Sequence, residues 1–362
     1  TNDGGLTIGG VTVDLDGVSA DGEIVITATS ALTVTEDVIA GGAVTLTATD
    51  SAGSGDNLTV QSLATVQSTG SNVTLRGGDN VTIQAGATVD AAGKVTIEGD
   101  YGDADPAGTM IQILGVLKTV VQADVLGEAD ADMIVLDPQA TSSGSVRIDG
   151  RGGDDYYIVQ LGLLGGQVDV ADAAGQNTDT LEINGTAAAD LLDVNAAVLG
   201  QVTLTSDSPA ETVTFTPYLE NLIVTGHGDG DNDNHDEDYF NVVPSTTAEI
   251  TINGNDPSFG DDLTPAPLGD ILDLDTPAGQ FFSVVRNRIV TTGNYQDIIF
   301  LDIEGVPLEP IGTSTLRFDL NDSALSPTES GYTAVLPTKL YTGVVPDHGW
   351  EGSPVLSFER PA

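Results

Sequence analysis

From Leu6 to Ile97 the chain keeps returning to one phrase, aliphatic-Thr-aliphatic. It occurs at Leu6-Thr-Ile, Val11-Thr-Val, Leu32-Thr-Val, Val44-Thr-Leu, Leu58-Thr-Val, Val73-Thr-Leu, Val81-Thr-Ile and Val95-Thr-Ile, with Ile24-Val-Ile-Thr as a close variant. A period of two sends the aliphatic side chains to one face and Thr to the other, and β-branched residues suit a pleated surface, so each phrase predicts a half-buried strand. Helical periodicity is almost absent. Gly, Asn, Asp and Ser punctuate the strands, as in Gly41-Gly42, Gly53-Ser-Gly-Asp-Asn and Gly77-Gly-Asp-Asn. Two or three strands then make a coil of roughly 20 to 25 residues, which is the period of a solenoid. The expected fold is all-β: a parallel β-solenoid (β-helix) followed by a small β-sandwich segment that stops before closure.

The pattern changes near residue 127. Gly127-Glu-Ala-Asp-Ala-Asp-Met-Ile-Val-Leu, Gly150-Arg-Gly-Gly-Asp-Asp-Tyr-Tyr-Ile-Val and Gly185-Thr-Ala-Ala-Ala-Asp-Leu-Leu-Asp-Val each place acid just before a strand. Two prolines between Gly305 and Gly312 interrupt strand pairing. The expected organisation is therefore Thr/Val-rich coils over 1–126, Asp/Gly-rich coils over 127–305, a Pro-containing linker at 306–312, and a C-terminal β-segment over 313–362. That last segment holds the one Trp, Trp350, with Tyr332 and Tyr341.

Composition narrows the function classes. Asp and Glu number 55 against 10 Lys and Arg, a formal charge of -45. Nucleic-acid backbones and anionic membranes need clustered basic residues, so neither is an expected partner, and cations are. With 40% apolar residues the chain is expected to fold. There is no Cys, which removes thiolate metal sites and disulfides and leaves oxygen donors suited to Ca²⁺. No apolar run reaches the length of a membrane-spanning helix. The chain begins at Thr1 without Met or a signal sequence, which suggests a processed product or one segment of a larger protein.

Crowded carboxylates repel unless a divalent ion shares their oxygens, and several loops are crowded. Asp229, Asp231, Asp233, Asp236 and Asp238 share one Gly-rich loop; Asp256, Asp261, Asp262 and Asp270 share a second, where they either add a cation site or cap turns. Asp154 and Asp155 either hold a cation or solvate a corner. Asp100, Asp103 and Asp105 form a smaller cluster. The first loop opens like an EF-hand, but Asn234 replaces the turn Gly and Phe240 stands where the bidentate Glu belongs, so an EF-hand is rejected. His227 and His235 lack a zinc pattern. Paired carboxylates also serve glycosidases, and β-helices carry polysaccharide lyases, but a lyase needs Lys or Arg near its metal. The chain has only 10 basic residues, and Arg147 and Arg151 are read as offsetting local negative charge, so no enzymatic activity is expected.

Gly150-Arg-Gly-Gly-Asp-Asp-Tyr-Tyr-Ile resembles the Ca²⁺-binding nonapeptide of RTX proteins. Leu58-Thr-Val-Gln, Asn72-Val-Thr-Leu-Arg-Gly-Gly-Asp-Asn-Val-Thr-Ile and Asp179-Thr-Leu-Glu-Ile-Asn-Gly-Thr resemble the haemagglutinin-like β-helical regions of very large bacterial surface proteins of planctomycete type. Leu316-Arg-Phe-Asp-Leu, with later Tyr341 and His348-Gly-Trp, looks like the opening of a galactose-binding-like β-sandwich. The resemblance implies an extracellular or cell-surface adhesin or scaffold. The expected role is a Ca²⁺-stabilised stalk or filament subunit, with several ions, that assembles with itself end to end or by strand exchange. The alternative is a carbohydrate-binding module or carbohydrate-active β-helix, in which Trp350, Tyr341 and Tyr332 would stack on glycans.

Overall fold

The aliphatic-Thr-aliphatic phrases form parallel strands in the computed structural model. It describes residues 4–10, 17–104, 106–138, 140–141, 144–171, 177–196, 200–206, 209–226, 238–255, 270–275, 281–285, 287–292, 294–303, 305–308, 316–317, 333–334 and 340–343. The described residues are all-β, and they wind as a β-solenoid. Two compact units are present: 1–182 with 211–219, and 183–210 with 220–362.

In the first unit, as far as Ala140–Thr141, three strands make each coil, one per face. The first face carries Leu6–Ile8, Leu32–Val34, Leu58–Val60, Val81–Ile83, Met110–Ile113, Met133–Leu136 and Tyr156–Gln160. The second carries Val18–Ala20, Val38–Ala40, Thr65–Ser68, Thr88–Ala91, Val116–Thr119 and Ala140–Thr141. The third runs from Ile24–Ala28 through Val44–Ala48, Val73–Arg76, Val95–Glu98, Gln122–Leu126 and Ser145–Asp149 to Val168–Ala171. Each strand pairs in parallel with its counterpart one coil on, so like residues stack. Leu32, Leu58, Val81, Ile111, Ile134 and Tyr157 form one inward column, and Thr33, Thr59 and Thr82 the neighbouring outward one.

These columns are the core. Leu46, Leu75, Ile97, Val125 and Ile148 of the third face are fully buried, as are Val38, Val66 and Val89 of the second. Each buried aliphatic contributes about 1.5–3 kcal/mol relative to exposure. Polar side chains that point inward are satisfied locally: Ser68 Oγ donates to Gly42 O at 2.6 Å, and Thr119 Oγ1 donates to Gly93 O at 2.5 Å. Among the described residues the second face ends at Ala140–Thr141, and the chain continues with two strands per coil.

The second unit has parallel coils with antiparallel strands spliced in. Leu191–Asn195, Tyr239–Val243 and Ile271–Leu274 stack in parallel, as do Asn221–Thr225, Glu249–Asn253 and Ile298–Leu301. Gly200–Leu204, however, runs antiparallel to Leu191–Asn195, and Phe281–Val285 runs antiparallel to Arg288–Thr292. The alternating pattern alone does not show this reversal. The connections do, because a link of a few residues can close a hairpin but cannot return a parallel strand. Gly305–Leu308, which overlaps the start of the expected 306–312 linker, is a strand whose Pro307 lies opposite Tyr341. Most of the expected C-terminal segment, including Tyr332 and Trp350, lies outside the described residues.

Candidate metal centre at the acidic corner

In the first unit, the corner from the third face to the first is where the acids gather. The residue two places ahead of the inward column is Asp56, Asp79, Thr109, Asp132, Asp155 and Asp179 in successive coils. The carboxylates lock one coil to the next. Asp132 Oδ1 accepts the Thr109 N–H at 2.7 Å, Asp155 Oδ1 accepts the Asp132 N–H at 2.9 Å, and Asp179 Oδ1 accepts the Asp155 N–H at 2.8 Å. These bonds join residues 23, 23 and 24 positions apart, one coil each. Asp132, Asp155 and Asp179 are buried. They satisfy N–H groups that lie just outside the regular strand ladders.

The turns that lead to Asp132 and Asp155 start with Gly for a steric reason. A Cβ on Gly127 would lie 1.8 Å from Asp132 Oδ2, and one on Gly150 would lie 2.0 Å from Asp155 Oδ2. The second unit repeats the device: Asp190 N–H donates to Asp238 Oδ1 and Asp238 N–H to Asp270 Oδ1, both at 2.8 Å. Gly185, Gly226 and Gly254 open those turns with the same close approach to Asp190, Asp238 and Asp270. Thus Asp155, Asp238 and Asp270, singled out above as candidate ligands, each accept a backbone N–H from the preceding coil. Asp154 is exposed and accepts the Thr178 N–H at 2.8 Å. Asp229, Asp231, Asp233, Asp236, Asp256, Asp261 and Asp262 lie outside the described residues.

Burial raises the pKa of two acids on this corner. Asp155 is pushed up to about 7, first by burial and then by the neighbouring Asp132 and Asp179 carboxylates, against the lowering effect of the Asp132 N–H and the Tyr157 hydroxyl. Asp132 is pushed up to about 6 by burial, partly offset by the N–H groups of Thr109 and Glu128. Tyr157 O–H donates to Asp155 Oδ2 at 3.2 Å while its oxygen accepts the Gly150 N–H at 3.0 Å.

A separate group of acids sits on the same corner, in the expanded turn between Val95–Glu98 and Met110–Ile113. Carboxylate oxygens of Asp100, Asp103 and Asp130 all lie within 4.8 Å of one another. Asp100 is 2% exposed, Asp130 half-buried and Asp103 exposed. The turn Gly99-Asp100-Tyr101-Gly102-Asp103 is held by Asp100 N to Asp79 O at 3.0 Å, Tyr101 N to Gly77 O at 2.9 Å and Asp103 N to Asp100 O at 3.1 Å. Asp100 and Asp103 adopt φ of 49° and 48°, in the left-handed region that Asp tolerates better than most residues. A fourth acid, Asp50, reaches over from an earlier corner, and its Oδ2 accepts the Ala104 N–H. It can do so because the intervening turn is Gly77-Gly78: a Cβ on Gly78 would stand 2.5 Å from Asp50 Cα.

This cluster is poor in compensation. Asp100 Oδ2 and Asp50 Oδ1 are buried with no hydrogen-bond partner among the described residues. Arg76 pairs with Glu98 at 2.6 Å and stacks 4.3 Å above the Tyr101 ring, and Arg151 pairs with Glu128 and Glu98. Among the described residues no ion pair reaches Asp50, Asp100, Asp103 or Asp130. Burial, then Asp103, Asp50, Asp132 and Asp130, push Asp100 up to about 7. An uncompensated buried carboxylate either takes up a proton or meets a cation, and this group can hold a metal ion. Asp130 and Asp50 were not distinguished by sequence pattern. The usable signal is coil register, which sets the turns holding Asp100 and Asp130 one above the other.

Comparison with protein-family models, with curated proteins and with solved structures returns no match. Among the described residues no helix is long and apolar enough to cross a membrane.

Proposed function

We propose that this chain is a non-enzymatic structural protein of the bacterial cell surface, a β-solenoid stalk or filament segment stiffened by Ca²⁺. The observation that carries the reading is the coil-to-coil corner itself. Carboxylates there join successive turns of the chain, each buried acid accepting a backbone N–H one coil away. An acidic, oxygen-only surface suits millimolar extracellular Ca²⁺, at which weak oxygen sites are filled. Self-association end to end or by strand exchange fits such a stack, since an uncovered edge strand accepts a strand from another chain.

Electron microscopy of the Ca²⁺-loaded protein, repeated after EDTA, tests the reading. Rods or filaments that shorten, soften or dissociate in EDTA support it. Discrete globules under both conditions, or turnover of an acidic polysaccharide in a parallel assay, refute it. Retention on a glycan array would favour the carbohydrate-binding alternative.

A further inference from the structure

We infer that Asp100, Asp103 and Asp130, with Asp50, form a Ca²⁺ site that clips together three corner turns of the first unit: 49–57, 99–109 and 127–132. The inference rests on the cation-binding part of the structural reading and is independent of the stalk or filament part.

Three observations converge. The oxygens of Asp100, Asp103 and Asp130 are already gathered within 4.8 Å of one another, although they come from two turns in successive coils. Asp100 is 2% exposed and its Oδ2 has no hydrogen-bond partner among the described residues, nor has the buried Oδ1 of Asp50. The basic residues nearby are turned to Glu98 and Glu128 instead. By contrast, the buried acids of the Asp132–Asp155–Asp179 column each accept a backbone N–H, so that column is complete without an ion.

The donor chemistry selects the ion. All four side chains offer hard carboxylate oxygens, and no His or Cys belongs to the group, which disfavours Zn²⁺ and Cu²⁺. Ca²⁺ takes six to eight oxygens in variable geometry, whereas Mg²⁺ demands a near-ideal octahedron and keeps several waters. Donors drawn from separate turns, one of them exposed at Asp103, suit the looser requirement. Water reaching the Asp103 side completes the shell. Bound there, the ion ties the turn after Val95–Glu98 to the next coil through Asp130 and, past Gly77-Gly78, to the earlier corner that holds Asp50.

Calorimetric titration of Ca²⁺ into the EDTA-stripped full chain, alongside Tb³⁺ luminescence excited through tyrosine, tests the site; Tyr101 lies between two of the ligands. The Asp103→Asn, Asp130→Asn double variant is the main perturbation, because it alters one exposed and one half-buried side chain and leaves the aliphatic columns alone. Asp21→Asn, at an exposed turn position on another coil, is the control. The expected result is loss of one equivalent of bound Ca²⁺ and of a component of Tb³⁺ emission in the double variant, with both retained in the control and an unchanged circular dichroism spectrum. Asp100→Asn provides a second route and is expected to weaken the same equivalent at least tenfold. Unchanged stoichiometry, affinity and emission in both the double variant and Asp100→Asn would overturn the inference. A lost site with intact rods in the microscope keeps the inference and removes stiffening by this ion from the functional reading, whereas a retained site in globular particles removes the stalk alone.

Discussion

Replacing Asp155 by Asn separates the structural role of the corner acids from their charge. Asp155 is fully buried, its Oδ1 accepts the Asp132 N–H at 2.9 Å, and its Oδ2 meets the Tyr157 hydroxyl at 3.2 Å. Asn keeps the shape and the accepting oxygen but cannot ionise. The folded-state value of Asp155 is about 7, above the 3.8 of the free group, so in the metal-free protein the folded state holds a proton that the unfolded chain has released. A raised acid contributes stability that is complete below the unfolded value and is lost as pH rises through the folded one. Between pH 5 and pH 7 this slope is about 1.4 kcal/mol per unit, or roughly 2–3 kcal/mol in all. Chemical denaturation in EDTA at pH 5, 6, 7 and 8 measures it. The wild type is expected to lose stability toward pH 8 more steeply than Asp155→Asn, so that the variant, near neutral at pH 5, is the more stable protein at pH 8. Parallel curves, or a variant that falls further behind as pH rises, would show that Asp155 is ionised in the fold throughout.

Gly150→Ala is expected to destabilise by about 2–4 kcal/mol, since the added methyl would lie 2.0 Å from Asp155 Oδ2 and 2.7 Å from the Tyr157 hydroxyl and displacing either strands buried polar groups; a urea melt decides it. Tyr157→Phe leaves the Gly150 N–H without its 3.0 Å acceptor and is expected to cost about 1–3 kcal/mol, read by the same melt. Ile97→Ala opens a cavity in a fully buried column and is expected to cost about 2–5 kcal/mol, whereas Thr96→Ala on the outward face of the same strand is expected to change stability by no more than about 0.5 kcal/mol.

The strands were legible because their signal is local. Leu58-Thr-Val and Val81-Thr-Ile carry period two within three residues, and the register that stacks Leu58 on Val81 preserves the in-out alternation. The hairpins at Gly200–Leu204 and Phe281–Thr292 were less visible, since strand direction is set by the length of the connection and not by the alternation. The acidic corner was legible as composition but not as geometry. Asp154 and Asp155 are neighbours in sequence, yet one is exposed and the other fully enclosed, because consecutive side chains leave a turn in different directions. Asp100 and Asp130 are far apart in sequence, yet coil stacking brings their oxygens together. Spacing along the chain identifies a turn rich in acid; which acids meet depends on how many residues each intervening coil consumes.

The Gly-to-Asp frame of the corner tolerates very different lengths between its ends. Gly150 and Asp155 enclose four residues, while Gly226 and Asp238 enclose eleven, yet Gly226 still donates to Asn253 O at 2.8 Å and Tyr239 to Asp190 O at 2.8 Å. Backbone anchoring on both sides isolates the winding from whatever is spliced in between. Such a socket lets lineages, or protein engineers, graft new peptide sequences onto the outside of the coil at regular intervals without re-solving the packing within.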